Sequence, residues 1–146
     1  MAQLFVISAP SGTGKTSLIR SVLSKKIASK ARLGISCTTR ERRKNEEEGF
    51  AYFFLTEQEF KQKIQEEGFL EYAKVFGNLY GTPKDWVAST ISKGFDVILE
   101  LDVQGALQVK DVYPDAKTIF IIPTSYEDLK DRLVKRGLDS RDCLLY

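Results

Sequence analysis

The segment Ala9-Pro10-Ser11-Gly12-Thr13-Gly14-Lys15-Thr16 follows the apolar run Leu4-Phe5-Val6-Ile7 and precedes Leu18, Ile19, Val22 and Leu23, spaced as one helix face. A buried strand, a glycine-bearing turn and a helix in that order admit few folds. Glycines at 12 and 14 let successive backbone N–H groups turn inward, toward the oxygens of an anion at the helix N-terminus. Lys15 adds a point charge, and Thr16 adds a hydroxyl suited to a hard divalent cation. The segment predicts a phosphate-binding loop for a nucleoside triphosphate with magnesium. Its first position is Ala9 where the pattern G-x-x-x-x-G-K-[ST] has glycine, so the signal rests on the strand before the loop and the helix after it.

Four apolar stretches, at 4–7, 33–35, 97–101 and 119–122, alternate with helical patterns. That alternation predicts an α/β protein with a mostly parallel sheet covered by helices, the three-layer arrangement of P-loop NTPases. Thr56 with Glu59 reads as a capping box ahead of Phe60 and Ile64. Thr82 and Pro83 read as an N-cap and first-turn proline ahead of Trp86, Val87 and Ile91, and Ser125 as the cap of a helix carrying Leu129 and Leu133. Gly94 and Gly137 stand where helix-ending residues would. Between Ser36 and Thr82 the pattern breaks into short aromatic-rich pieces at 50–55 and 69–73, with a turn at Gly77-Asn78. This predicts a small inserted subdomain built on a few antiparallel strands.

Composition narrows the chemistry. The 146 residues, 42% hydrophobic and 29% charged, suit one compact domain. No apolar run approaches the ~20 residues that span a bilayer, and the N-terminus opens into a strand without a signal-like segment, so the chain is expected in the cytosol and off the membrane. There is no histidine, which excludes a Ser-His-Asp triad, an H-E-x-x-H zinc site and imidazole acid–base catalysis. Phosphoryl transfer survives, because it depends on positioning and charge stabilisation. Cys37 and Cys143 lack metal-ligand spacing and read as two reduced thiols. A net charge of +2 is too small for a general polyanion binder. The basic cluster Arg40, Arg42, Arg43, Lys44 is followed at once by Glu46-Glu47-Glu48, which would repel a nucleic-acid backbone. Glu100 and Asp102 close the run 97–102 on one strand face, where a P-loop protein places the partner of its magnesium.

The P-loop, Ser36-Cys-Thr-Thr-Arg40, Arg43, Tyr52, Glu71-Tyr72, Gly77-Asn78-Leu79-Tyr80-Gly81-Thr82, Glu100-Leu-Asp-Val-Gln-Gly105 and Asp128-Leu-Lys-Asp-Arg-Leu133 occur in one register over residues 4–140. In this the chain closely resembles guanylate kinases. The resemblance implies transfer of the ATP γ-phosphoryl group to GMP, giving ADP and GDP, a step of purine nucleotide metabolism. It places Ser36, Arg40, Arg43, Tyr52 and Tyr80 on the GMP phosphate, where guanidinium forks and hydroxyls donate to its oxygens. Glu71 matches the carboxylate that reads guanine, whose N1–H and N2 amino group are adjacent donors that adenine lacks. Thr82 matches a hydroxyl facing the base edge. On the triphosphate side the resemblance places Lys15 on the β- and γ-phosphates, Thr16 and Asp102 at magnesium, partly through water, and Asp102 near the acceptor as well. Glu100 stands where the family usually has Asp. Arg132 and Arg136 match the first arginines of a lid, four residues apart on one helix face, and would neutralise charge on the transferred group. The implied organisation is a P-loop core at 1–35 and 83–124, a GMP-binding subdomain at 36–82 and a partial lid at 125–146.

Three departures from the family pattern stand out. Arg-Pro-Pro-Arg-Pro-Gly-Glu reads here Arg40-Glu-Arg-Arg-Lys-Asn-Glu46, which keeps both arginines and the glutamate but loses the prolines, so a looser loop with the same contacts is expected. Glu100 for Asp is the second. After Ser140 the family continues with another lid arginine, a final strand, an adenine-contacting loop and a C-terminal helix, whereas this sequence ends at Tyr146. A sheet of four strands is therefore expected where a fifth would lie beside the first, and a GMP-binding fold without turnover is an open alternative. A small GTPase is a rival reading, because Asp102-Val-Gln-Gly105 satisfies D-x-x-G; the Asn-Lys-x-Asp guanine motif is absent from the sequence. A guanylate-kinase-like module for phosphorylated peptides is another, although such modules typically lose the lysine that stands here as Lys15.

Overall fold

The structure, a computed structural model, describes residues 1–10 and 12–135. Strand β1 (Leu4–Ser8) leads through the loop to helix α1 (Lys15–Leu23), then to β2 (Ala31–Leu33). β3 (Cys37–Thr38), β4 (Phe53–Phe54), α2 (Glu57–Gln65), β5 (Phe69–Val75) and β6 (Asn78–Pro83) follow. The chain then runs through α3 (Lys84–Ser92), β7 (Asp96–Leu101), α4 (Val103–Val112), β8 (Lys117–Phe120) and α5 (Tyr126–Lys135).

Two four-stranded sheets result. The first has the order β2-β7-β1-β8, all parallel. Strand β1 has both neighbours, so the place for a further strand is not beside β1; the edges among the described residues are β2 and β8. β1 alternates buried with half-buried residues, and Leu4, Val6, Val97 and Leu99 join Val87, Ala106 and Val109 in the main core. Chain crossovers diverge beside β1, toward β2 through α1 and from β7 toward β8 through α4. A crevice at the carboxyl ends of the strands belongs at that point.

The second sheet has the order β4-β3-β6-β5. It is mixed, not purely antiparallel as expected: β3 and β4 run parallel, because the long connection 39–52 carries the chain back before β4 begins. Its core is Cys37, Phe60 and Phe69, with the two phenylalanine rings stacked at 4.4 Å. Helix α2 starts at the predicted capping box: Glu59 N donates to Thr56 Oγ1 at 3.2 Å, and Thr56 N donates to Glu59 Oε2 at 2.7 Å.

Other boundaries moved. β2 lies at 31–33 instead of 33–35 and β8 at 117–120 instead of 119–122, because pairing with β7 and β1 sets their register, not their own apolar content. Thr82 does not cap α3. Strand β6 continues through Pro83, which takes the N-cap position without a side-chain bond, and the Thr82 hydroxyl is used elsewhere. Ser125 does cap α5, accepting from Asp128 N at 3.0 Å. Gly94 adopts φ 84 just past α3, as a helix-ending glycine should. Gly137 and Cys143 lie outside the described residues, as do the side chains of Leu129 and Leu133.

Candidate active site

Register places the triphosphate side. Ile7 and Ser8 pair with Glu100 and Leu101, so the loop after β1 opens beside the end of β7. Gly12 and Gly14 take φ 83 and 89, a left-handed backbone that side chains resist. Gly14 is the N-cap of α1, without a side-chain cap and without an acid in the first turn, which leaves the positive end of the helix facing outward. The loop, Glu100 and Asp102 line a cavity of about 300 Å3. Lys15 Nζ donates to the Leu101 carbonyl at 2.9 Å, and Thr16 Oγ1 donates to Glu100 Oε1 at 2.5 Å. Thr13 Oγ1 closes the loop on the Pro10 carbonyl. Ser11 lies outside the described residues.

A hard cation fits this donor set. The Thr16 hydroxyl and the half-buried Glu100 carboxylate are touching oxygen donors, and two protein oxygens leave the other positions of an octahedron to water and phosphate, as magnesium favours. Asp102 lines the same cavity but is engaged elsewhere, since as N-cap of α4 its Oδ1 accepts from Gly105 N at 2.7 Å. Among the described residues, no group of three or more acids and cysteines forms a ready-made metal cage.

The second half of the site lies between the sheets. Glu71, 8% exposed on β5, accepts from Thr82 Oγ1 on β6 at 2.6 Å. Burial pushes its carboxyl above the ordinary 4.5; the Thr82 hydroxyl and a Thr82 backbone bond oppose this, and the charge of Asp102 adds to it. The helix α4 comes close because residue 105 is glycine: a Cβ there would sit 3.3 Å from Asp102 Oδ1 and 3.4 Å from Glu71 Oε2. Gln108 of α4 fixes the same strand, its Oε1 accepting from Tyr72 N at 3.2 Å.

Ser36, Tyr52 and Thr82 line a cavity of about 190 Å3 that also touches Glu100. Arg40 stands over the Tyr52 ring at 5.5 Å, and Tyr52 meets Tyr80 edge-on at 6.0 Å. Glu46 binds the loop together: Oε1 accepts from Arg40 Nη2 at 2.7 Å and Oε2 accepts from Arg43 N at 2.9 Å. The Glu46 bond, and secondarily the Tyr80 hydroxyl, holds the Arg40 pKa above its usual range, while the same Arg40 bond lowers that of Glu46. The Arg43 side chain is exposed. Glu100 lines both cavities, so the two halves meet at one carboxylate.

A family model described as guanylate kinase matches residues 1–145. The chain belongs to the guanylate kinase family. A guanylate kinase of Hahella chejuensis is 52% identical over 142 residues, covering 97% of this chain and 67% of the relative. One of Clostridium acetobutylicum is 50% identical, covering 97% and 66%. The chain thus spans about two thirds of the length of these curated relatives. The crystal structure of guanylate kinase from Anaplasma phagocytophilum superposes with a TM-score of 0.65 at 33% identity, over 94% of this chain and 69% of that one. The P-loop α/β fold expected from sequence is therefore the fold found.

In this guanylate kinase fold, Lys15, Thr16 and Asp102 gather at one cavity, and Ser36, Tyr52 and Thr82 at its neighbour. Arg40 and Tyr80 stand beside Tyr52. Glu71 joins Thr82 on the opposite strand. The backbone of Arg132 lies in α5; its side chain, and the whole of Arg136, are outside the described residues. Sequence reasoning gave no role to Gln108 and no positioning role to Gly105 or Glu46. Gly105 entered the sequence reading only within the D-x-x-G pattern and the motif Glu100-Leu-Asp-Val-Gln-Gly105.

Proposed function

We propose that this chain transfers the γ-phosphoryl group of ATP to GMP, giving ADP and GDP. The observation that carries the reading is the pair of cavities sharing Glu100, one lined by the phosphate-binding loop and one lined by Ser36, by Tyr52, which lies under the phosphate-matching Arg40, and by Thr82, whose hydroxyl is bonded to the guanine-matching Glu71. An oxygen of the GMP phosphate attacks the γ-phosphorus while the bond from that phosphorus to the β–γ bridging oxygen breaks, and the electron pair leaves with ADP. Lys15 exchanges the Leu101 carbonyl for phosphate oxygens. Ser36, Arg40, Arg43, Tyr52 and Tyr80 hold the acceptor phosphate, and Arg132 and Arg136 neutralise charge on the group in flight. Glu71, ionised, accepts from guanine N1–H and N2 together, with Thr82 and Asp102 beside the base. Thr16 and Glu100, with Asp102 near, would hold magnesium, which would supply charge neutralisation on the phosphates. The core at 1–35 and 83–124 carries ATP, and 36–82 carries GMP.

The test is ADP release by the purified 146-residue chain, coupled to a spectroscopic readout, with ATP alone, ATP plus GMP and ATP plus AMP. Release that requires GMP is expected. Release independent of GMP would overturn the reading, and calorimetric GMP binding without ADP release would replace it with a binding fold.

A further inference from the structure

The sheet that carries the acceptor residues has a second cavity on its reverse face, of about 450 Å3, which phosphoryl transfer does not use. Strand alternation places it there. Ser36, Tyr52 and Thr82 face the acceptor cavity, and their immediate chain neighbours Cys37, Phe53 and Pro83 face this one. Helix α3 supplies Trp86 and Ser89 from the other side. Lys63 of α2 and Asp85 of α3 close one flank, Nζ to Oδ2 at 3.0 Å. Glu48 stands at the rim, one oxygen accepting from Phe54 N at 3.1 Å.

The lining chemistry selects a ligand class. Two carboxylates face one ammonium, and that ammonium is already paired with Asp85, so the charge left over is the negative one of Glu48. Trp86 and Phe53 both line the cavity, and aromatic side chains there suit a ring or a cation. The Cys37 thiol, 3% exposed and pushed up to about 11 by burial, stays protonated and acts as apolar wall, which excludes covalent capture. The volume lies in the ~300–1,000 Å3 range of small-molecule sites.

We propose that this cavity reversibly binds a planar aromatic monocation, its ring against Trp86 and Phe53 and its charge at Glu48, and that occupancy is coupled to GMP binding through the strands the two cavities share. The coupling rests on the acceptor-site reading above; the binding does not. Trp86 is the chain's single tryptophan, so its emission reports on the cavity directly.

The experiment titrates the 146-residue chain, without nucleotide, with benzamidine and with its neutral counterpart benzamide. A saturable change in Trp86 emission is expected, half-complete below about 1 mM for benzamidine and at least about tenfold weaker for benzamide. Ser89→Phe, at an exposed helix position that tolerates bulk, should abolish saturation with the circular dichroism unchanged. Glu48→Gln should bring benzamidine to the level of benzamide. A linear, non-saturating response, an unchanged response in Ser89→Phe, or equal affinity for the two probes would overturn the site. Saturating GMP should shift the benzamidine Kd at least about threefold, with benzamidine shifting GMP by the same factor. Equal benzamidine affinities with and without GMP, in protein that calorimetry shows to bind GMP, would overturn the coupling. Benzamidine binding in a chain that binds no GMP would refute the acceptor reading and the coupling with it.

Discussion

Glu71 is the residue on which most turns. Its carboxyl is buried and raised above 4.5, so the folded state holds the proton more tightly than the unfolded chain does. The stabilisation this gives is complete below the unfolded value and is lost as pH rises through the folded one. Stability measured by urea melts should therefore fall from about pH 4.5 upward relative to Glu71→Gln, which has no proton to lose there. GMP affinity should rise over the same window, since the guanine donors need the ionised form. The same variant should lose roughly 100-fold of the GMP over AMP preference, because an amide presents one acceptor where the carboxylate presents two; unchanged selectivity in paired KM measurements would contradict the assignment. For Lys15→Ala the expectation is a fall in turnover of about 1,000-fold, with calorimetric GMP affinity within about threefold of the parent. Equal loss of both would mean that the two cavities are not separate sites. Lys15 was singled out by the loop pattern around it and Glu71 by its match to a family position, and the structure sets the first at the end of β7 and buries the second against Thr82. Gly105 was not legible, because its contribution is the absence of a side chain, and only the approach of α4 to Glu71 gives that absence a meaning.

The segment 40–46 shows what an element adds to its residues. Without the family's prolines it was expected to be looser while keeping its contacts. The structure supplies order by another means, a single glutamate that engages the Arg40 guanidinium and the Arg43 backbone with its two oxygens. Glu46→Ala should accordingly raise the KM for GMP on the order of tenfold while kcat changes less, as misplacement of a binding group does; an unaltered KM would show that the arginines are placed by something else. Elements defined by local bonds were readable from sequence, as the capping box at Thr56 illustrates. Elements defined by partners were not. The short strand β2 takes its register from β7, and Thr82, which resembles an N-cap in sequence, is held in β6 by pairing with Glu71.

At the scale of the molecule, a parallel sheet and a mixed sheet meet across α4 and β5, with Tyr72 N on Gln108 as one of the joints. On the proposed reading the acceptor residues belong to the second sheet and its connections and the phosphate-binding loop lies beside the first, so phosphoryl transfer would bring the two closer. GMP should draw 36–82 toward the parallel sheet, lowering the radius of gyration measured by X-ray scattering; superimposable profiles with and without GMP would count against closure. The α/β class and the four strands of the first sheet were legible because apolar runs alternate with helical patterns on both sides of the segment 36–82. The parallel pairing of β3 with β4 was not, since it depends on the path of the connection between them.

The bonds of Lys15 to the Leu101 carbonyl and of Thr16 to Glu100 carry a consequence for the order of events. On the proposed reading an incoming triphosphate competes with the end of β7 for Lys15 and Thr16. The phosphate contacts of Lys15 and Thr16 would then replace bonds that each already makes, so these two add less to affinity than their count implies. On the same reading Glu100, which borders the acceptor cavity, passes from the Thr16 hydroxyl to the cation that accompanies the triphosphate, so arrival of one substrate would change the electrostatic field that the other meets. The end of β7 and the phosphate-binding loop are in this way one electrostatic unit, and Glu100 gives both cavities a share in it.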